Sequence, residues 1–297
     1  MSAVPTLPTL PTLPTLDDRY ADLIRIIEGL GSVVVGFSGG ADSALLLKVA
    51  VDRLGARALG VTAVSPSFPE RDRSYAIEIA GQIGATHLLV GSREFEKAEY
   101  VANAPTRCFF CKEELFDILW GIARQRGVAA VAYGAITDDL GDFRPGMDAA
   151  RRAGARAPLL EAGFSKTDVR EISRRLGLRS WDRPASACLS SRIPHGTPVD
   201  PALLGRIERC EDFLLAAGVR QVRVRAHGEL ARIECAADDL PLLAAAGFRE
   251  RLTERFKELG FRYITLDLEG YRSGSLNPDL HPATTGTESQ RPNGHTR

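Results

Sequence analysis

The stretch Phe37-Ser38-Gly39-Gly40-Ala41-Asp42-Ser43 combines two adjacent glycines with hydroxyl and carboxylate side chains. It follows the apolar run 33–37 and precedes a helical pattern over 44–54, so we expect a strand, a tight loop and a helix N-terminus. The glycines let the backbone turn and point N–H groups at an anion, and the helix dipole adds positive charge there. No Gly-Lys-Ser/Thr ending is present, which excludes a Walker A loop. The stretch predicts a phosphate-binding loop; a Gly-Ser turn with a helix cap is the alternative.

Two of the five cysteines have a spacing that suits metal or sulfur chemistry. Cys108 and Cys111 form a Cys-x-x-Cys pair, which can place two thiolates on one metal site, and a third ligand can come from far along the chain. A structural zinc site needs four ligands, and a redox pair of the thioredoxin type needs a different βαβ context. These alternatives stay open at this point. Cys210 and Cys235 lie in apolar patterns and are interpreted as buried hydrophobic residues.

Acidic residues gather near the same predicted region. Phosphate chemistry without a Walker A lysine needs Mg²⁺, for which Asp42 and, more weakly, Asp142 are candidate ligands. Asp138 and Asp139 follow a predicted strand end, where ligands gather on open α/β sheets; a solvated helix cap is the alternative. Lys166 begins a helix with good capping chemistry and is interpreted as a structural residue.

The elements that position these residues alternate along the chain. Strands are predicted at 33–37, 58–64, 87–90 and 129–133, and helices at 17–30, 44–54, 71–83 and 111–126. This order of strand and helix predicts an α/β domain, with a parallel sheet covered by helices on both faces. The later pattern predicts a smaller α+β domain with an antiparallel sheet: a helix at 201–217, strands at 221–226 and 230–235, two short helices and a last strand at 263–268.

Four segments follow from this pattern. Residues 1–16 contain a Thr-Leu-Pro repeat whose regular prolines favour polyproline II or disorder. The parallel-sheet domain is predicted over 17–197, the smaller domain over 198–274, and a disordered tail poor in large apolar residues over 275–297.

The composition favours a cytoplasmic globular protein. The chain has 44% hydrophobic and 26% charged residues, and its 38 basic and 38 acidic residues give no net charge. A global positive field for nucleic acid is therefore absent, and we expect no nucleic-acid partner. No apolar run approaches the roughly 20 residues that cross a bilayer, and no secretory signal is evident. The odd number of cysteines does not suggest a secreted disulfide framework.

The loop sequence Ser-Gly-Gly-Ala-Asp-Ser is similar to the SGGxDS loop of the PP-loop ATP pyrophosphatases. This resemblance implies a Rossmann-like sheet, binding of ATP, transfer of adenylate to an acceptor oxygen and release of pyrophosphate. The ATP-binding residues that it implies are Ser38, Gly39, Gly40, Asp42 and Ser43.

Three further segments, 107–112, 133–146 and 181–196, together with the smaller domain resemble the LarE sulfurtransferases, which act in making the nickel-pincer cofactor of lactate racemase. The resemblance extends from about 17 to 275. It implies pyridinium-3,5-biscarboxylic acid mononucleotide as the small-molecule substrate, adenylation of each carboxylate by ATP, and replacement of oxygen by sulfur. The residues agree with such chemistry, because AMP is a good leaving group and a thiolate or metal-held sulfide is a suitable nucleophile.

The resemblance also implies roles for the cysteines. Cys188 stands where the family carries its sulfur-handling cysteine. Together with Cys108 and Cys111 it matches the three-cysteine variety, in which a [4Fe-4S] cluster keeps one iron open for external sulfide. The alternative is that Cys188 gives up its own sulfur and becomes dehydroalanine.

Basic residues are the candidates for binding the substrate. Arg223 and Arg225 alternate along a predicted strand and match the Val-Arg-Val-Arg strand of the family, which suggests a site for the substrate phosphate. A solvated strand face is the alternative. Further candidates, from the family-like segments and the smaller domain, are Arg144, Arg192, Arg272 and Glu234. The family also suggests a homo-oligomer, specifically a hexamer.

Two other functions are compatible with the loop and the cysteines. A tRNA thiolase shares both features, although the neutral net charge and the lack of a recognisable RNA-binding module count against it. A non-catalytic nucleotide or iron-sulfur sensor on the same fold is the alternative of another class.

Overall fold

The structure is a computed structural model that describes residues 14–141, 145–184 and 186–272. The predicted disordered segments, apart from residues 14–16, lie outside the described residues, as do Asp142 and Arg144. The helices are Leu16–Gly29 (α1), Ala41–Leu54 (α2), Glu70–Ile83 (α3), Ala98–Val101 (α4), Arg107–Arg126 (α5), Pro145–Arg152 (α6), Pro158–Glu161 (α7), Lys166–Arg175 (α8), Pro201–Ala216 (α9), Leu240–Ala244 (α10) and Ala246–Glu258 (α11). The strands are Val33–Gly36 (β1), Ala58–Val64 (β2), Thr86–Gly91 (β3), Ala130–Tyr133 (β4), Val222–His227 (β5), Leu230–Cys235 (β6) and Tyr263–Leu266 (β7).

The first four strands form one parallel sheet in the order β3-β2-β1-β4. Side chains of β1 alternate between its two faces: Val33 and Val35 pack with α1, α2 and α8, whereas Val34 packs with α5 and α6. Both faces are therefore buried by helices, which confirms the predicted α/β architecture.

The strand order creates a switch point at β1. The chain passes from β1 to β2 on one side, and β4 pairs with β1 on the other. In open parallel sheets such a point leaves a crevice at the carboxyl ends of the strands, and ligands bind there. The loop 37–40, between β1 and α2, and the turn after β4 both begin at this crevice.

The last three strands form a second sheet in the order β5-β6-β7. β5 and β6 are antiparallel as predicted, but β7 runs parallel to β6, so the prediction of an antiparallel sheet is wrong for this strand. The reason is that α10 and α11 cross over between β6 and β7. Cys210 and Cys235 are fully buried in this second core, which confirms their interpretation as apolar residues.

Gly39 adopts a backbone conformation that a side chain would strain. Its φ is 72°, and a Cβ at this position would lie 2.8 Å from Cα of Ala76 in α3. Helix α3 therefore packs directly on the loop, and only glycine allows this approach.

We predict that Gly39→Ala lowers the free energy of unfolding by about 2 kcal/mol or more, because it combines left-handed backbone strain with a steric clash. Gly81→Ala is the matched control, since Gly81 lies exposed in α3 with nothing within 4 Å of an added Cβ. Urea unfolding of both variants measures the difference. Equal stability of the two variants would contradict this account of the loop.

Candidate active site

The loop after β1 is braced by its own two serines. The Ser43 hydroxyl accepts from the backbone N–H of Ser38 and donates to the carbonyl of Gly40, both at 3.2 Å. Gly40 is the N-cap of α2 and supplies no side-chain cap. The backbone N–H groups of the first turn of α2 are therefore not occupied by a capping side chain, and a helix start of this kind suits a phosphate group.

The turn after β4 approaches the same helix start. A Cβ at Gly134 would lie 2.9 Å from the backbone nitrogen of Ser43, so no side chain fits between them. The carboxyl ends of β1 and β4 thus meet at α2, at the switch point of the sheet.

A cavity of about 280 Å³ extends from the phosphate loop to two of the three candidate cysteines. Ser38, Gly40, Asp42 and Ser43 line one part of it. Its other lining residues include Thr62, Ser65, Ser67, Ser92, Glu94, Cys111, Lys112, Tyr133, Gly134 and Cys188. The structure therefore brings together the phosphate loop and Cys188, which are far apart in the sequence.

A buried carboxylate stands beside one of these thiols. Glu94 is 4% exposed and accepts hydrogen bonds from the hydroxyls of Ser65 and Ser67, both at 2.7 Å. The Cys111 thiol donates to the same carboxylate at 3.4 Å. Burial, together with the charge of Glu94, raises the pKa of Cys111 well above its ordinary value. Sequence inspection missed Glu94, although its position just after β3 is where strand-end ligands gather.

Cys108 lies outside this cavity and is exposed, in the first turn of α5. The buried guanidinium of Arg107 interacts electrostatically with both Cys108 and Cys188. All three candidate cysteines are free thiols. Within the described part of the chain, no three His, Cys, Asp or Glu side chains converge on a position for a single metal ion.

Arg192 holds the segment that carries Cys188. Its Nη1 donates to the carbonyls of Ala187 at 2.6 Å and Cys188 at 3.0 Å, while Nε and Nη2 donate to the two carboxylate oxygens of Glu211. The Arg192 side chain is 0% exposed. A contact between Arg192 and substrate, as predicted, would require these buried bonds to break.

Glu211, on α9, is the acceptor that joins several elements. Besides Arg192, it accepts from Arg71 of α3 at 2.5 Å and from the backbone N–H of Val224 in β5 at 3.1 Å. Burial alone would raise the pKa of Glu211, but the guanidinium groups of Arg192 and Arg71 outweigh it and hold the pKa below its ordinary value. One carboxylate therefore ties the Cys188 segment to α3 and to β5.

The predicted substrate-binding arginines of β5 are buried in the second sheet. Arg225 donates to the Ser191 carbonyl at 2.8 Å and to Glu234 at 2.7 Å, and Arg223 stacks over the ring of Tyr271. The alternative of a solvated strand face is therefore wrong, because the two arginines are only 5% and 8% exposed. None of the predicted substrate-binding residues that the structure describes lines the cavity at the phosphate loop.

The last of these candidates, Arg272, is exposed and pairs with Glu269. The role of Arg223, Arg225, Glu234 and Arg272 in binding substrate stays a prediction.

A second cavity, of about 390 Å³, adjoins the phosphate loop on the side of α8. Lys166 lies here, and its Nζ donates to both carboxylate oxygens of Asp42 at 2.8 Å. Ser165 and Asp168 form the expected capping box, so the start of α8 is confirmed, but the Lys166 side chain itself reaches the loop. This partnership spans 124 residues of sequence, and no local pattern indicates it.

Asp138 and Asp139 line the second cavity and also make local backbone contacts. Asp138 accepts from the backbone N–H of Lys166, and Asp139 from that of Ile136, each at 3.0 Å. Both interpretations made from the sequence, helix cap and strand-end ligand, are compatible with this placement. Among the described helices, none is both long enough and apolar enough to cross a membrane.

Comparison with known proteins identifies relatives over nearly the full chain. An uncharacterized protein of Synechocystis is 43% identical over 262 residues, which are 88% of this chain and 98% of the relative. The pyridinium-3,5-bisthiocarboxylic acid mononucleotide synthase of Lactiplantibacillus plantarum is 37% identical over 277 residues, 92% of this chain and 98% of that protein. An uncharacterized protein of Methanocaldococcus jannaschii is 29% identical over 241 residues, 81% of this chain and 91% of that protein. No family model matches the chain.

We predict that Glu211→Gln lowers the free energy of unfolding by about 3–5 kcal/mol near pH 7, because it removes the partner of a buried guanidinium. The folded-state pKa of Glu211 is depressed. Its stabilising contribution is therefore present above the unfolded value of about 4.3 and is lost as the pH falls through the folded pKa. The difference between wild type and variant should accordingly shrink in acid.

Asp212→Asn is the matched control, because Asp212 pairs with the same Arg71 but is half exposed. It should cost less than about 1 kcal/mol. Urea unfolding between pH 3 and pH 7 measures both variants. A pH-independent loss in Glu211→Gln, or equal losses in the two variants, would contradict the role of Glu211.

Proposed function

The chain belongs to the family of pyridinium-3,5-bisthiocarboxylic acid mononucleotide synthases, and from this premise we propose that it is an ATP-dependent sulfurtransferase. Its substrate is pyridinium-3,5-biscarboxylic acid mononucleotide, and both carboxylates become thiocarboxylates. This product leads to the nickel-pincer cofactor of lactate racemase. The family is the one that the sequence motifs resemble, and the parallel sheet agrees with the fold expected of it.

The observation that supports the proposal is that the phosphate loop and Cys188 line the same cavity. In the first step a substrate carboxylate oxygen attacks the α-phosphorus of ATP, and the bond from that phosphorus to pyrophosphate breaks. The products are an acyl adenylate and pyrophosphate. Ser38, Gly39, Gly40, Asp42 and Ser43 serve this step, because the start of α2 offers backbone N–H donors to phosphate and the Ser43 hydroxyl holds the loop in place.

In the second step a sulfur nucleophile adds to the activated carbonyl carbon, and AMP leaves with the former carboxylate oxygen. When the nucleophile is hydrosulfide, its proton is released and the thiocarboxylate anion remains. Cys188 lies in the same cavity, so the sulfur donor and the adenylate are held together without a separate transfer of the intermediate. The Cys188 segment is fixed by Arg192 through its backbone carbonyls, which leaves the thiol free of that contact.

A [4Fe-4S] cluster fits the donor chemistry of the three cysteines. Cys108, Cys111 and Cys188 would hold it, and when bound it would supply an open iron for external sulfide. Cys111 and Cys188 line the same cavity, and Cys108 lies about one helical turn before Cys111 in α5. This placement of three thiols around one end of the cavity supports the cluster.

Mg²⁺ completes the proposed set of cofactors. Asp42 faces both cavities and contacts Lys166. Asp142, outside the described residues, is a weaker candidate that follows Asp138 and Asp139 in the sequence. Carboxylates beside a triphosphate suit Mg²⁺, which is usually bound by one or two of them together with substrate phosphates. We also propose a cytoplasmic homo-oligomer, a hexamer by family resemblance, that acts on a small molecule and not on nucleic acid.

We predict that Cys188→Ser keeps substrate-dependent exchange of labelled pyrophosphate into ATP, because the proposed adenylation step does not use the Cys188 thiol. Formation of thiocarboxylate should fall to background, since the sulfur-handling thiol is gone. Cys210→Ala, a cysteine buried in α9, is the control and should keep both activities. Mass spectrometry of the product measures sulfur transfer. Normal thiocarboxylate formation by Cys188→Ser would contradict the assignment.

We predict that anaerobic reconstitution with iron and sulfide gives a broad absorbance near 400 nm and about four irons per chain. Cys108→Ala should lose both properties, whereas Cys235→Ala, altered in the second core, should keep them. A wild-type protein that binds no iron would contradict the proposed cluster. Cys188 would then be the sulfur source itself, and its peptide would lose the mass of one H₂S after a single turnover.

A further inference from the structure

Arg183 occupies a position beside the phosphate loop that the proposed chemistry has not used. Its guanidinium lies 3.8 Å from the ring centre of Tyr75 and donates to Asp72 at 2.7 Å. Nη1 reaches towards the carbonyl of Gly39 at 3.5 Å. Arg183 also lines the second cavity, together with Ser38, Gly40, Asp42 and Lys166.

We propose that Arg183 binds the pyrophosphoryl group of ATP in the second cavity and holds it as pyrophosphate leaves. The inference rests on the proposed ATP-dependent function and names a further residue for it. On this basis the loop separates two tasks: the cavity with Cys188 receives the reacting carbonyl, and the cavity with Arg183 receives the leaving group.

The guanidinium is held in one orientation and still has donors to offer. Asp72 is 5% exposed and fixes one edge of Arg183, while the Tyr75 ring fixes its plane. Of the five N–H donors of an arginine, the described residues engage one at 2.7 Å and one at 3.5 Å. A planar fork with spare donors suits two phosphate oxygens at once.

The charge of the second cavity determines the form of the ligand. Arg183 and Lys166 face four carboxylates, those of Asp42, Asp72, Asp138 and Asp139. Each cation is paired with one carboxylate, Arg183 with Asp72 and Lys166 with Asp42. Bare pyrophosphate, itself strongly negative, would enter a cavity lined by four carboxylates, so we expect the magnesium complex to bind and the free anion to bind much more weakly.

The same Asp72 connects this position to the cysteine segment. It accepts the hydroxyl of Ser186 in addition to Arg183, and Cys188 follows two residues later. Arg183 and Ser186 are therefore both held to α3 by one carboxylate. This anchoring favours a fixed ligand position near Gly39.

A purely structural interpretation makes Arg183 a link between α3 and the loop, with no contact to a ligand. The two interpretations predict different effects on the affinities for pyrophosphate and AMP when Arg183 is replaced. A structural link would affect the affinities for AMP and pyrophosphate together, because both depend on the shape of the loop. If Arg183 binds the leaving group, its replacement lowers the affinity for pyrophosphate and leaves the affinity for AMP unchanged.

The test is calorimetric titration of the full-length protein with inorganic pyrophosphate in Mg²⁺, and separately with AMP. We expect Arg183→Gln to bind magnesium pyrophosphate at least about tenfold more weakly, equivalent to about 1.4 kcal/mol, with AMP affinity unchanged. Arg179→Gln is the matched control, since Arg179 lies on the same segment and pairs with Glu78 of α3 but does not line either cavity. It should bind both ligands as the wild type does.

An unchanged affinity of Arg183→Gln for pyrophosphate, an equal loss for both ligands, or a wild type that binds no magnesium pyrophosphate would overturn the proposal. The titration contains neither ATP nor the pyridinium substrate. A failure of the proposed function, seen as no substrate-dependent pyrophosphate exchange by the wild type, is thus distinguished from a failure of the Arg183 assignment.

A measurement on the wild type covers the case in which Arg183→Gln does not fold. Phenylglyoxal modifies accessible arginines, and peptide mapping reports each site separately. Magnesium pyrophosphate should protect Arg183 and leave the reaction of Arg179 unchanged. Modification of Arg183 at the same rate with and without saturating magnesium pyrophosphate would overturn the proposal.

Discussion

The buried ion pair between Arg192 and Glu211 sets the position of the segment that carries Cys188. Both side chains are 0% exposed, so each charge depends on the other and on the hydrogen bonds around them. Through Arg71 and Val224 the same carboxylate reaches α3 and β5. The cysteine segment is therefore fixed to α3 and β5, and the shape of the cavity at the phosphate loop depends on this constraint.

The chemistry proposed for this cavity needs two events at one carbon atom. Adenylation turns a carboxylate oxygen into part of a leaving group, and sulfur then adds at the same carbon. A reactive acyl adenylate hydrolyses if it has to leave the protein, so the phosphate donors and the sulfur site must share one enclosure. The switch point of the sheet places the N–H groups that would bind phosphate at the loop after β1 and the start of α2, and the segment held by Arg192 supplies Cys188.

Local patterns in the sequence were sufficient to predict the parallel sheet and the phosphate loop. The apolar run before Gly39 and the helical period after it predict a strand, a turn and a helix, and the structure has all three. The orientation of β7 was not predictable in this way, because it depends on how α10 and α11 connect β6 to β7. Strand direction depends on long-range packing, which the period of a single segment does not record.

The features of the site that the sequence did not predict are contacts between side chains that are far apart in the chain. Lys166 has a convincing local role in a capped helix, and only the tertiary structure brings its amine to Asp42. Arg192 lies in a family-like segment, for which the sequence predicts a contact with substrate. Its guanidinium instead donates to the Glu211 carboxylate and to the Ala187 carbonyl inside the protein. An arginine in a sequence motif does not reveal whether its guanidinium faces a ligand or a buried carboxylate.

The central claim is that sulfur replaces a carboxylate oxygen through an acyl adenylate. The most direct measurement uses substrate labelled with oxygen-18 in its carboxylates and follows the label by mass spectrometry. The account predicts that one labelled oxygen appears in AMP for each sulfur installed and that pyrophosphate carries none. Label in inorganic phosphate together with formation of ADP, or AMP without label, would contradict it.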